Sequence, residues 1–195
     1  MAVVLLIAAI ALVAVPVASR AMRENRSSSA AQSIAMLYQL GRARAIGRGV
    51  AVLVRFSSTE GKFEVFEATG GASSFVPLAS CSMPPDRWTD GSQHVLVDAL
   101  QFNGQAPYEQ VMVEFAVNTV EAGHGVGGGS TADVCFTPSG AMMYREGDTV
   151  FTSAPRTLAI RVVRATSPAN EIGISRTVFI LPNGVTRIAS PVGPA

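Results

Sequence analysis

A chain of 195 residues with a net charge of +1 and 15% charged residues has no general electrostatic pull toward nucleic acid or acidic surfaces. Once an apolar terminal segment is set aside, the remaining length suits one domain with its own core. Nearly all the positive charge is arginine, Lys62 being the sole lysine.

Residues 1–19, MAVVLLIAAIALVAVPVAS, carry no charge, and Arg20, Arg23, Glu24 and Arg26 follow at once. At about 1.5 Å per residue, a helix over this stretch is as long as a bilayer core is thick. Pro16 lies inside the run, where it bends a helix without ending it. No glycine or proline interrupts residues 17–40, so the helix is expected to continue well past the membrane. Three readings compete. A secretory signal peptide would be cut near Val17, Ala18 and Ser19, but only Met1 and Ala2 precede the apolar run, where a basic segment belongs. A simple anchor would leave its arginines, and hence the domain, inside the cell. An anchor preceded by a short basic leader, absent from this chain, meets both objections.

From Arg20 to Arg48 the pattern is that of an amphipathic helix. Ala30, Ile34, Leu37 and Gly41, with Ala31, Tyr38 and Ala45 beside them, form a stripe expected to lie on a globular head. Arg23, Arg26, Gln32 and Gln39 are expected to face water. Gly47 and Gly49 supply the stop. Beyond them the period turns to alternation. Strands are expected at 50–56 and 62–68 as a hairpin, then at 95–102, 110–117, 132–137, 141–145, 156–164, 171–181 and 185–189, with a loop over 70–91. Short strands at this spacing argue for an antiparallel sandwich or barrel. Thr137-Pro138-Ser139-Gly140 and Leu181-Pro182-Asn183-Gly184 repeat one another as strand, Pro-x-Gly turn, strand, and a type II turn is expected at each.

The N-terminal quarter resembles the helix of type IV pilins and of type II secretion pseudopilins. More narrowly it is similar to the minor group that includes the H-type (GspH) pseudopilins and the FimT-type minor pilins. Ala14-Val15-Pro16 matches the proline near the end of that family's apolar run, and Leu40-Gly41-Arg42-Ala43-Arg44-Ala45-Ile46-Gly47-Arg48-Gly49 resembles its helix end. The two Pro-x-Gly hairpins are similar to those near the C-terminus of the same group. The family's cleavage motif and the glutamate after it are absent here, and an in-frame leader ending in Gly, followed by a Phe-Thr-Leu-Ile-Glu-Leu-like segment, is expected upstream. The resemblance implies an α+β, pilin-like fold with a long bent N-terminal helix on an antiparallel β-sandwich-like head. Residues 1–19 would be the transmembrane half of that helix, 20–48 its periplasmic amphipathic half and 49–195 the head. It implies a single-pass protein of the bacterial inner membrane with its head in the periplasm, built into a short filament through its N-terminal helix with other pseudopilins or pilins. It also implies a prepilin peptidase acting on the leader. The readings kept open are a type II secretion pseudopilin, a FimT-type minor pilin of a type IV pilus, and a binding module released by signal-peptide cleavage.

An anchor that puts the head outside the cytoplasm makes a disulfide between Cys81 and Cys135 expected, its loop of about fifty residues stabilising by roughly 4 kcal/mol in the chain-entropy model. Two separately buried thiols are the alternative. Gly123-His124-Gly125-Val126-Gly127-Gly128 fits G-x-G-x-x-G, but a strand pattern follows it where a dinucleotide fold needs a helix, so it reads as a loop. His94 and His124 lack a second ligand at metal spacing, and Asp86 and Asp90 read as turn formers. No nucleophile arrangement is present, and neither enzyme activity nor a cofactor is expected. Arg156, Arg164 and Arg187 are the candidate contacts to an anionic partner. Arg156 and Arg164 fall on one face of a strand by alternation, but the tail after Arg187 has no further charge and no aromatic, and nucleic acid is not an expected partner.

Overall fold

The computed structural model describes residues 2–70, 78–82, 87–89, 91–102, 108, 110–117, 131–147, 149–154, 157–167, 170–171 and 174–190. Side chains are described from Asn25 onward, apart from 116–117, 165–167 and 170–171. Among the described residues one helix, α1 (Ala2–Arg48), is followed by eleven strands. These are β1 (Val52–Ser57), β2 (Lys62–Ala68), β3 (His94–Gln101), β4 (Val111–Val117), β5 (Thr131–Phe136), β6 (Met142–Glu146), β7 (Thr152–Ser153), β8 (Leu158–Ser167), β9 (Asn170–Glu171), β10 (Arg176–Ile180) and β11 (Thr186–Ala189). α1 passes through Pro16 without a break in its helical backbone.

The strands form two antiparallel sheets. The larger has the order β3-β2-β1-β5-β6-β7, and the smaller has β11-β10-β8-β4 with β9 paired to the far end of β8. The expected 171–181 strand is broken. Asn170 and Glu171 turn back onto Ser167 and Ala165, while β10 pairs the other half of β8, with Val178 opposite Ile160. β7 had no signal in the sequence, since two residues are too few for a period.

α1 and both sheets share one core. Ala30, Ala31, Ile34, Leu37, Tyr38 and Ala45 are buried with Val52, Val54 and Phe56 of β1, Phe63 and Val65 of β2, and Ile160, Val162, Val178 and Ile180 of the smaller sheet. The expected stripe is therefore the buried one, and Arg26, Gln32 and Gln39 are exposed. Phe115 of β4 joins the sheets, stacked on Phe56 at 6.3 Å and on Tyr144 at 5.8 Å between ring centroids. Gly41 permits the closest approach of helix to sheet, because a Cβ there would lie 3.0 Å from Val54 Cγ2. At the helix end, Glu67 of β2 accepts from Arg44 Nε at 2.5 Å and pairs with Arg48 Nε at 3.0 Å. One carboxylate thus holds two arginines one helical turn apart.

The repeated turns are real but of another type. In both, the glycine N–H donates to the residue three before it (Gly140 to Thr137 O, 2.8 Å; Gly184 to Leu181 O, 2.7 Å), and the strand residue pairs across the turn (Thr137 N to Ala141 O, Leu181 N to Val185 O, both 2.9 Å). Positive φ falls on Gly140 (80°) and Gly184 (76°), not on Ser139 or Asn183. That is a type I turn closed by a left-handed glycine, the arrangement of a bulged hairpin, and not type II. The two turns belong to different sheets yet meet the same helical residue: Arg42 lies 3.6 Å from the Cβ position at Gly140 and 2.7 Å from that at Gly184.

This difference in space sets a ranking. Gly140→Ala is expected to cost about 1–2 kcal/mol from left-handed strain alone. Gly184→Ala should cost more, because its Cβ also meets Phe136 Cε1 at 3.0 Å. Chemical denaturation of the two variants side by side checks the order.

Candidate functional site

β1 and β5 are covered on both faces, and the two coverings differ. On the face away from α1, Ala51, Leu53, Ala68, Cys135 and Phe151 are buried under Cys81 and Trp88, which come from the connection between β2 and β3. Cys81 and Cys135 are joined in a disulfide, 54 residues apart in sequence with Cα atoms 6.0 Å apart. Trp88 Nε1 donates to Cys81 O at 3.0 Å, and Arg87 Nη1 reaches Leu78 O at 3.5 Å. His94 Nδ1–H donates to Arg87 O at 2.8 Å, and its ring meets Phe66 edge-on at 4.8 Å between centroids. The sequence had left His94 without a partner. Its partners are a carbonyl and two aromatic rings, Phe66 and Trp88.

Beside this layer lies a row of charge across three strands. Asp133 of β5 stands between Arg55 of β1 and Arg145 of β6 in register. Its carboxylate takes Arg55 at both oxygens (Nε 2.8 Å, Nη2 2.9 Å) and Arg145 Nε at 2.8 Å. Arg145 also lies 4.3 Å from the centroid of the Phe151 ring, and Arg55 faces Phe66 at 5.8 Å. Asp133 is 1% exposed, so both arginines answer a carboxylate removed from water. The sequence reading missed this row. Each of three largely apolar strands, VLVRFS, TADVCF and MMYRE, places a charge at one of these positions, but only the register brings the three together.

The solvent side of α1 carries large apolar side chains among its polar ones. Met36 is 66% exposed, and Leu40 and Ile46 are exposed as well, as are Val185 and Ile188 of the neighbouring β10–β11 hairpin. Gln39 Nε2 donates to Thr186 Oγ1 at 2.8 Å, which ties that hairpin to the helix. Among the described residues no helix is long and apolar enough to cross a membrane. The expected span, 1–19, falls outside the residues whose side chains are described.

The candidate arginines do not converge. Arg156 lies outside the described residues. Arg164 sits at the β4–β8 end of the smaller sheet, pairs in register with Val111 and donates from Nη2 to Gln110 Oε1 at 2.5 Å. Arg187 lies on the opposite edge, in β11 across from Phe179, which stands opposite Ala159 on β8. Positions 159 and 164 differ by an odd number, so Arg164 and Arg187 fall on opposite faces. The Gly-rich 123–128 segment with His124, and Asp86 and Asp90, also lie outside the described residues. Among the described residues no three His, Cys, Asp or Glu side chains are grouped to hold a metal ion.

No family model matches the chain, and no curated protein does. Similar solved structures include the minor pseudopilin EpsH from the Type 2 Secretion System of Vibrio cholerae, at 13% identity over 86% of this chain and 98% of that one, TM-score 0.45. The type IV minor pilin FimU of Pseudomonas aeruginosa is similar at 11% identity over 87% of this chain and 96% of that one, TM-score 0.47. Both are likenesses at low identity, with TM-scores below one half.

The charge row yields a contrast. Asp133→Asn strips the shared partner from two arginines and is expected to cost about 3 kcal/mol. Glu114→Gln removes the partner of Arg161, 3.2 Å away and part-exposed, and should change stability by no more than about 0.5 kcal/mol. Thermal or urea unfolding of both variants measures the difference.

Proposed function

We propose that the chain is a minor pseudopilin of a type II secretion system, a structural subunit of a short filament anchored in the bacterial inner membrane that promotes protein export. The observation that carries this reading is the division of labour along α1. One side of the helix from Ala30 to Ala45 is the third wall of the head's core, while the opposite side presents Met36, Leu40 and Ile46 to solvent. Large apolar side chains on the exposed side of a helix are a surface for another helix, since covering apolar area returns about 25 cal/mol per Å². The uncharged 1–19 stretch continues the same helix backbone and, by its length, suits a bilayer.

On this reading the N-terminal half holds the subunit in the membrane with its head in the periplasm, and the exposed face of α1 packs on the helices of other pilin-like subunits. A filament of this kind is a heterologous assembly, so each subunit offers two unlike surfaces. The contribution of the chain is then position and contact: the head sets where the subunit sits, and the helix face sets what it sits against. The Arg164 and Arg187 placements, on opposite faces of one sheet, give no clustered phosphate-binding surface and so lend nothing to a DNA-uptake reading.

Two measurements test this. Fractionation should recover the full-length protein with the inner membrane, and recovery as a soluble protein would overturn the proposal. Met36→Glu with Leu40→Glu should leave thermal stability within about 0.5 kcal/mol, because both side chains are on the surface. The same variant should lose cross-linking to other pilin-like subunits in intact membranes and lower export of secreted protein. Unchanged cross-linking would remove the helix face from the assembly.

A further inference from the structure

The larger sheet supports two apolar clusters that share no side chain. The helix-side cluster contains none of the described residues of the connection between β2 and β3. The reverse-side cluster depends on that connection for Cys81 and Trp88. Several of the connection's described bonds close within itself: Trp88 Nε1 to Cys81 O, Arg87 Nη1 to Leu78 O, and Ser80 Oγ to Ser82 O at 2.9 Å. Its ties to the sheet include Ala51 N to Leu78 O at 2.7 Å at one end and Arg55 Nη1 to Trp88 O at 3.4 Å at the other. With only two cysteines in the chain, Cys81–Cys135 is the one covalent tie between this layer and the strands beneath.

We propose that the disulfide is the latch of a separable cover: when it opens, residues 78–82 and 87–89 leave the outer face of the sheet while the helix-side core stays folded. Opening is a two-electron reduction. A dithiol reductant supplies two electrons and two protons, becomes a disulfide itself, and leaves Cys81 and Cys135 as thiols. Without the cross-link, the ordering of this connection rests on non-covalent support, including the burial of Trp88, Cys81 and Arg87, against the conformational entropy of a long loop. The strands below have other support. β1 is paired on both edges and is held from the helix side by Val52, Val54 and Phe56. The face that is uncovered is also suited to water, because the Arg55–Asp133–Arg145 row runs across it beside Leu53.

The test uses the full chain in mild detergent, in two arms: the Cys81→Ala/Cys135→Ala variant, and wild-type protein folded first and then reduced with a dithiol. Trp88 is the sole tryptophan, so its emission reports the cover directly. Expected in the reduced wild type are a red shift of that emission and amide exchange at least tenfold faster at 78–82 and 87–89. Far-UV circular dichroism should hold, and exchange at Val54 and Val134 should stay within twofold, with a folded variant matching. Emission and exchange unchanged in the reduced protein, with free thiols verified, would show that the cover needs no latch. Loss of protection at β1 and β5 in step with the cover would show that it is not separable. Either result overturns the proposal.

Discussion

The structure depends on how closely α1 can lie against β1. Ala30, Ala31, Ala35, Gly41 and Ala45 are all buried, and a side chain at Gly41 would press on Val54. Small residues bring the helix axis down to the sheet, and that closeness lets Ile34 and Tyr38 reach between the sheets as far as Phe63, whose ring Tyr38 meets edge-on at 6.3 Å. Tyr38 contributes its ring more than its hydroxyl. The Tyr38 hydroxyl is buried with no hydrogen-bond partner among the described residues, and burial pushes it well above the usual phenol range, so it stays neutral. The helix is therefore fixed by shape along its middle and by charge at its end, where Glu67 holds Arg44 and Arg48.

Covering β1 and β5 on one face by a helix leaves the other face to be dealt with. The connection between β2 and β3, tied down by a disulfide, covers that face, with charge added where the cover ends. A cross-link over 54 residues restricts the unfolded chain by an amount worth about 4 kcal/mol, comparable to what burying one tryptophan returns. The Arg55–Asp133–Arg145 row lets the same face pass from dry to wet, because arginine stems and guanidinium planes pack on Phe66 and Phe151 while their charges are answered by Asp133.

What could be read from the sequence follows the range of each signal. The buried stripe of α1 is a local period over fifteen residues, and Ala30 through Ala45 fell where expected. Eight of the strands carried enough alternation to be placed within a few residues. The 171–181 strand failed because the advance of five residues from Glu171 to Arg176 is set against only three from Ala165 to Val162 on β8, and no local pattern marks that mismatch. The turn type failed for a similar reason: Pro-x-Gly fixes that a left-handed residue is needed, but only the pairing of Thr137 with Ala141 decides that it falls in the fourth position. Asp133 between two arginines was out of reach, since the three residues are brought together by register alone. The disulfide lay between these cases: two cysteines allow one pairing, but the choice between a bond and two buried thiols, and the role of the bond, are visible only in the structure.

Arg42 shows how these pieces constrain one another. Its side chain lies on α1, yet it is bounded by the tips of two hairpins from different sheets, each of which has a glycine where any larger residue would strain the turn or strike the helix. The β5–β6 hairpin thereby sets the height of the larger sheet on the helix, and the β10–β11 hairpin sets that of the smaller. With both sheets indexed to one helical turn, the exposed side of that turn has a fixed position relative to Val185 and Ile188 on the second hairpin. Ile46, which packs at Gly140 of the first tip, is then held in a fixed relation to Val185 on the second. A partner helix laid on α1 would meet the head in a single orientation, and a helix free to roll on its sheets could not impose that.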